Sequence, residues 1–248
     1  AGGVGHHQRR KGARFSGPTE AFNRTLPFQA GKELRINNAY GNIIVRGWEE
    51  ERLAVTAEET WNESAGAGAG RYREGTVIPR IEIETGDSGV TITARPRDEA
   101  LAGDRVVHLF VQVPHHVLLK SVTGGQGRLS LSDLYGEARL RLENGDVRIE
   151  NYSGSLDVEL GRGEIQAELT DLRSEDIVRL VLSDGPITIS LDPAFGGRLE
   201  ATAGSGTLVC GFPVEPPAES ARASGKIGTG EGALIFVTAR SGDVRVRK

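Results

Sequence analysis

Residues 127–169 read GRLSLSDLY GEARLRLEN GDVRIENYS GSLDVELGR GEIQAEL when broken before Gly127, Gly136, Gly145, Gly154 and Gly163, which recur every nine residues. Apolar residues follow each glycine at the second and fourth positions: Leu129/Leu131, Ala138/Leu140, Val147/Ile149, Leu156/Val158 and Ile165/Ala167. A period of two is the signature of a strand with one buried face. With 38% of the chain hydrophobic, a glycine meets both conditions by chance about one time in seven. Five in phase are an internal repeat.

Each unit holds a strand of about five residues and a turn, led by glycine because the corner needs a backbone conformation that a β-carbon would penalise. Two units make one coil of 18 residues with its strands on opposite walls, and the next coil stacks about 4.8 Å along the axis. The predicted fold class is all-β: an antiparallel β-rich N-terminal part running into a flattened β-solenoid of Gly-led strand repeats. Looser copies follow at Gly185 (Ile187/Ile189), Gly197 (Leu199/Ala201), Gly206 (Leu208/Cys210), Gly232 (Leu234/Phe236) and Gly242 (Val244/Val246), with an early one at Gly41 (Ile43/Val45). The register places Arg139 over Asp157 and Arg141 over Glu159 on one outer wall, and Ser130, Arg148 and Gln166 in a row on the other. Stacked opposite charges of this kind contribute roughly 0.2–1 kcal/mol each.

Three regions follow: a basic Gly-rich arm at 1–27, a strand-rich part at 28–120 and the repeat region at 121–248. In the middle part, alternation predicts strands at Glu33–Asn37, Asn42–Arg46, Arg52–Glu59, Arg80–Thr85, Val90–Arg95 and Arg105–Val113. Gly86-Asp87-Ser88-Gly89 reads as a hairpin turn, Ser64–Gly70 (SAGAGAG) as a loop, and Pro114 as the end of the last strand. Asp171–Leu182 carries a brief helical spacing but reads as a bulged loop and strand.

The chain has 248 residues and a net charge of −4, from 30 Lys+Arg against 34 Asp+Glu, which argues against a general nucleic-acid binder. No apolar run is long enough to span a membrane as a helix. Glycine is enriched at 34 residues without a collagen period. A single cysteine, Cys210, excludes an internal disulfide and a cysteine-based zinc cluster. There is no methionine and the chain opens Ala1-Gly2-Gly3-Val4-Gly5, which leads us to expect that an upstream segment, such as an export signal, was removed.

No residue pattern points to catalysis. Asp146, Glu164 and Asp184 are the best carboxylate cluster, but carboxylates alone describe any solvated wall. His115-His116 invites a metal reading, yet neighbours on a strand face opposite ways, so a connector between sheet regions is expected. Gly204-Ser205-Gly206 lacks nucleophile-elbow spacing and Gly228–Gly232 is not a phosphate loop. Asn144-Gly145-Asp146 and Ser241-Gly242-Asp243 resemble fragments of calcium repeats without their doubled glycine. Trp48 and Trp61 are isolated and are expected to pack. The sequence thus predicts no catalytic, cofactor or metal residue.

The order of elements resembles that of a large bacterial family of candidate adhesins of unknown function. The likeness rests on Leu34–Gly47 (LRINNAYGNIIVRG), a strand ending in Val113-Pro114, the Gly-led repeats and a closing Gly-Asp-Val strand at Gly242–Val246. It covers residues 28–248, and no catalytic motif belongs to it. It implies an exported or envelope-associated, non-enzymatic β-rich protein on the bacterial exterior. The partners we expect are a second copy of the chain, surface carbohydrate or another protein. The alternatives are a β-solenoid that binds or cleaves polysaccharide and an intracellular scaffold for signalling.

Two segments are candidates for self-assembly. The first fourteen residues hold Arg9, Arg10, Lys11 and Arg14 and no acid, with Phe15 next; an arm of +4 on a chain of −4 leaves −8 on the body for it to dock on. The C-terminal residues Val244, Arg245, Val246 and Arg247 read as an open edge strand.

Overall fold

The computed structural model describes residues 21–62, 77–215 and 218–248. Strands β1 (Phe22–Pro27), β2 (Glu33–Tyr40), β3 (Ile43–Trp48), β4 (Arg52–Trp61), β5 (Arg80–Thr85), β6 (Gly89–Arg95) and β7 (Arg105–Pro114) lead into β8 (His116–Leu169), one 54-residue strand that winds through successive coils. There follow β9 (Ile177–Asp184), β10 (Ile187–Leu191), β11 (Gly197–Ala203), β12 (Leu208–Cys210), β13 (Val214–Glu215), β14 (Arg222–Ile227), β15 (Leu234–Ser241) and β16 (Val244–Arg247). The one helical element described is a single 3-10 turn at Glu99–Leu101. All sixteen strands belong to one sheet, folded into two facing walls by β8.

The repeat positions form the core. Leu129, Leu131, Ala138, Leu140, Val147, Ile149, Leu156, Val158 and Ile165 are each no more than 1% exposed, so one side chain in two points between the walls. The first coil is built by β2 and β3, which pair in parallel with β8. Beyond it the first wall is extended by β7 and then, antiparallel, by β4 and β1. The second wall is extended by β6 and the β5 hairpin arm, whose turn closes through a Gly86 N–H···O Gly89 bond of 2.9 Å. Phe22–Pro27 is therefore a sheet strand, and the coil register begins inside the 28–120 region. The candidate arm residues Arg9, Arg10, Lys11, Arg14 and Phe15 and the Ser64–Gly70 tract lie outside the described residues.

The coil period is set at one corner. Gly41, Gly127, Gly145, Gly163, Gly185, Gly242 and Gly206 stand in a column, and a β-carbon on each from Gly127 onward would fall under 3 Å from the carbonyl oxygen of the glycine before it in the column. Six of the seven hold φ between 114° and 144°, a region in which a side chain is strained. Glycine thus serves twice at each level, in conformation and in close backbone approach. The 18-residue coil stretches once: Leu156 pairs with Val178 and Ile165 with Ile187, 22 apart. Four extra residues enter with the loop between β8 and β9.

The stacking order departs from chain order. β15 lies between β9 and β11, and β16 lies between β10 and β12, all in parallel. The last coil of the chain is thus inserted between two earlier ones, after β13 and β14 make an antiparallel excursion beside β11. Val244–Arg247 is not an edge, which corrects the sequence expectation. Val244 and Val246 are at most 1% exposed, and both sides of the strand are hydrogen-bonded. The repeat identifies units but does not order them. At that end the walls finish on the three-residue β12 and the two-residue β13, short edges of the kind that resist pairing.

Gly145→Ala should cost about 3 kcal/mol or more, adding an unfavourable φ to a backbone clash. Gly86→Ala, where the nearest non-neighbour atom is 4.0 Å away and φ lies outside the left-handed region, should stay within about 0.5 kcal/mol of wild type. Urea unfolding of the two variants checks the contrast.

Candidate functional site

The stacked charges of the second wall stand as the register required. Arg139 lies 3.7 Å from Asp157 and Arg141 3.3 Å from Glu159. One coil on, the Arg179 guanidinium donates to both Asp157 (2.7 Å) and Glu159 (2.8 Å). The hydrogen bond from Arg179 holds the Glu159 carboxyl below its ordinary 4.5, with the nearby arginines adding to it. These groups are partly to well exposed, so solvent screens them and each pair contributes little alone.

The carboxylates Asp146, Glu164 and Asp184 are each engaged separately. Arg128 lies 3.6 Å from Asp146, Gln166 donates to Glu164 at 2.8 Å, and Arg162 lies 3.5 Å from Asp184. Asp243 accepts from the Thr207 N–H and hydroxyl, both at 3.0 Å, and these bonds lower its pKa. Among the described residues no group of three or more His, Cys, Asp or Glu side chains could hold a metal. Trp48 donates to the Arg52 carbonyl at 2.9 Å. Trp61 lies under the Arg105 guanidinium, 4.4 Å from the ring centre, and Arg105 pairs at 2.9 Å with the buried Glu59. Trp61 thus packs against Arg105, and Trp48 is held by its hydrogen bond. Cys210 is half-buried on β12, and burial pushes its thiol up.

The corner opposite the glycines has a second column that sequence reading passed over. Asp133, Asn151 and Asp171 take the left-handed conformation, with φ of 57°, 50° and 46°, which Asx residues tolerate better than others. The Asn151 amide donates to the Asp133 carboxylate at 3.0 Å, linking two coils. After each Asx residue comes an apolar residue turned inward: Leu134, Tyr152 and Leu172. Leu134 and Tyr152 are almost fully buried. The Tyr152 hydroxyl lies 3.0 Å from the Gly136 carbonyl and 3.1 Å from that of Ser155, and burial raises its pKa far above the ordinary range.

The next residue of each corner turns outward, giving the series Tyr135, Ser153, Arg173. Below it stands His116, whose ring stacks on Tyr135 at 5.0 Å between centres and 4° between planes. His115, one residue earlier, has turned away to bond the Asp133 carbonyl through Nδ1 at 2.7 Å. The two histidines thus join sheet regions, facing apart. Tyr135 remains 48% exposed. Beside it opens a groove of about 540 Å³ floored by Gly136, Ser153 and Gly154 and rimmed by Glu137, Ser155, Arg173 and Glu175. Lys120 pairs with Glu137 at 3.0 Å, and the Asp176 carboxylate caps the Arg173 N–H at 2.8 Å, fixing the loop that forms the far rim. The sequence signal for this site was the Asx-apolar pair at 133, 151 and 171, which a search for glycines does not register.

Arg179→Met should lose on the order of 0.5–1 kcal/mol at neutral pH, since exposed networks are screened. A carboxyl whose folded pKa is depressed contributes stability above its unfolded value and loses it as pH falls through the folded one. Glu159 is such a group, so the gap between Arg179→Met and wild type should close on acidification from neutral to about pH 3, read by urea unfolding at the two pH values.

The fold is similar to that of a candidate cell adhesion protein from Clostridium sporogenes, at 15% identity over 92% of this chain and 99% of that one, with a TM-score of 0.51. Weaker likenesses are to a candidate adhesin from Bacteroides fragilis (6% identity, 92% of this chain and 98% of that one, TM-score 0.27) and a candidate lipid binding protein from Parabacteroides distasonis (8% identity, 92% and 97%, TM-score 0.27). No protein with a curated description matches the chain. No helix among the described residues is long and apolar enough to cross a membrane. Residues 117–247, more than half of the sequence, match Toastrack DUF4097, and the chain belongs to that family.

Proposed function

We propose that this chain acts outside the cytoplasm as a non-enzymatic adhesive or structural rod of the bacterial cell exterior, assembling with copies of itself. The observation that carries this reading is the commitment of the outward charges. The Arg139, Arg141, Asp157, Glu159 and Arg179 side chains are spent on neighbouring coils, so the walls act as a support. The adhesion named for the Clostridium sporogenes protein agrees with it.

Self-assembly is supported by where the chain enters. β1 pairs with β4 on one side, and its other edge carries no strand among the described residues. The basic residues Arg9, Arg10, Lys11 and Arg14 and the neighbouring Phe15 precede it in the chain. An added strand on this edge, from the arm of a second copy, would continue the first wall. The polysaccharide reading is favoured by one observation, the Tyr135 groove, and in the form of binding. Of its three carboxylates, Glu137 pairs with Lys120, Asp176 accepts from a backbone N–H and Glu175 accepts from the Ser174 hydroxyl.

Antibody labelling of intact cells should detect the protein without lysis, and detection only after lysis would contradict the location. Deleting residues 1–20, which spares β1, should shift light scattering from assemblies towards single chains. An unchanged size distribution would remove the arm from the assembly.

A further inference from the structure

The outer column at the Asx corner is a stack with one layer missing. His116 and Tyr135 occupy two successive levels face to face, 5.0 Å apart, which is the coil spacing of a β-solenoid. Arg173 belongs to a level two coils beyond Tyr135. Between them stands Ser153, whose small side chain is turned aside to donate to the Asp171 carbonyl at 3.1 Å. Gly136 and Gly154 add no side chain to the floor. The free face of Tyr135 therefore looks across roughly two coil spacings, about 9.6 Å, towards the level of Arg173. That gap has the thickness of one ring in contact with both sides.

We infer that this slot binds one neutral pyranose ring of a surface saccharide, laid with its apolar C–H face on Tyr135. The choice of ligand follows from the lining. An aromatic face takes the flat hydrophobic face of a sugar, and ring hydroxyls project sideways to meet a rim of hydrogen-bonding groups. Here the rim offers the remaining oxygens of the Glu137 and Glu175 carboxylates as acceptors, the Arg173 guanidinium as a fork of donors, and the O–H of Ser155, whose oxygen accepts from the Ile177 N–H at 3.1 Å. Arg173 makes no side-chain ion pair or hydrogen bond among the described residues, so its donors remain available. An aromatic side chain of a protein partner would leave these polar groups unmatched on desolvation. An acidic sugar would face three carboxylates, Glu137, Glu175 and Asp176, against the cations Arg173 and Lys120. The groove volume of about 540 Å³ lies in the range of small-ligand sites.

The inference takes its biological setting from the adhesive reading above, but its test needs only the purified full chain. Saturation-transfer NMR with methyl glycosides of glucose, galactose, mannose and N-acetylglucosamine should show binding in the millimolar range, strongest on the protons of one ring face. Ser153→Leu, which fills the missing layer, and Tyr135→Ala, which removes the stacking ring, should each weaken it about tenfold or more without moving the urea midpoint by more than the Gly86→Ala control. Arg173→Gln should weaken it less. Binding unchanged in both Ser153→Leu and Tyr135→Ala would overturn the assignment, as would no binding of any of the four glycosides. Occupancy by methyl glucuronide or by N-acetyltyrosine amide in their place would overturn it in favour of an acidic sugar or a peptide. A chain confined inside the cell that still binds a glycoside through this slot would defeat the location and leave the slot standing. A surface-exposed chain that binds none would do the reverse.

Discussion

The close approach of glycine to glycine at one corner fixes this molecule. Where Gly145 passes Gly127, and Gly163 passes Gly145, the carbonyl oxygen of one level occupies the space in which the next would carry a β-carbon. The corner therefore cannot drift: a slip by one residue would bring a side chain into a backbone and turn every apolar residue of the following strand outward. The buried alternation of Leu129 to Ile165 and the arginine–carboxylate contacts on the outer walls follow from that one lock. The same column accommodates Gly185, Gly242 and Gly206 although the chain reaches them out of spatial order, so the constraint belongs to the stack and not to sequence neighbours.

A division of labour follows around each coil. The walls are occupied inward by packing and outward by ladders of charge, and the glycine corner has no room for side chains. Only the Asx corner is free to vary. There Asp133, Asn151 and Asp171 hold the turn, and the residue two further on from each, Tyr135, Ser153 and Arg173, lies on the outer side of the corner. The four-residue lengthening of the coil falls at this corner and supplies the Arg173–Asp176 loop that raises one rim of the groove. The slot proposed above sits on this corner, in keeping with the general tendency of loops to carry binding while regular strands carry stability.

How much of this could be read in the amino acids depends on whether the signal is local. The coil period, the walls and the Arg139–Asp157 and Arg141–Glu159 contacts were legible because each rests on spacing within Gly127–Leu169. The hairpin at Gly86–Gly89 and the loop before β9 were legible for the same reason. The place of Val244–Arg247 was not. Its alternation of Val and Arg is the same for an interior strand with an exposed outer face and for an edge, and only the excursion through β13 and β14 decides which coil it enters. The groove escaped because it arises from what Ser153 lacks, and a missing side chain becomes visible only when Tyr135 and Arg173 are known to flank it.

The coil register is tested most directly by cross-linking in a Cys210→Ser background. Cysteines at 139 and 157, in register on neighbouring coils, have the backbone separation a disulfide requires, about 4.4–6.8 Å between Cα atoms. Cysteines at 139 and 148 stand on opposite walls. Mild oxidation should close the first pair within single chains and leave the second reduced. Closure of the 139–148 pair with the 139–157 pair left open would contradict the stacked coil and everything built on it.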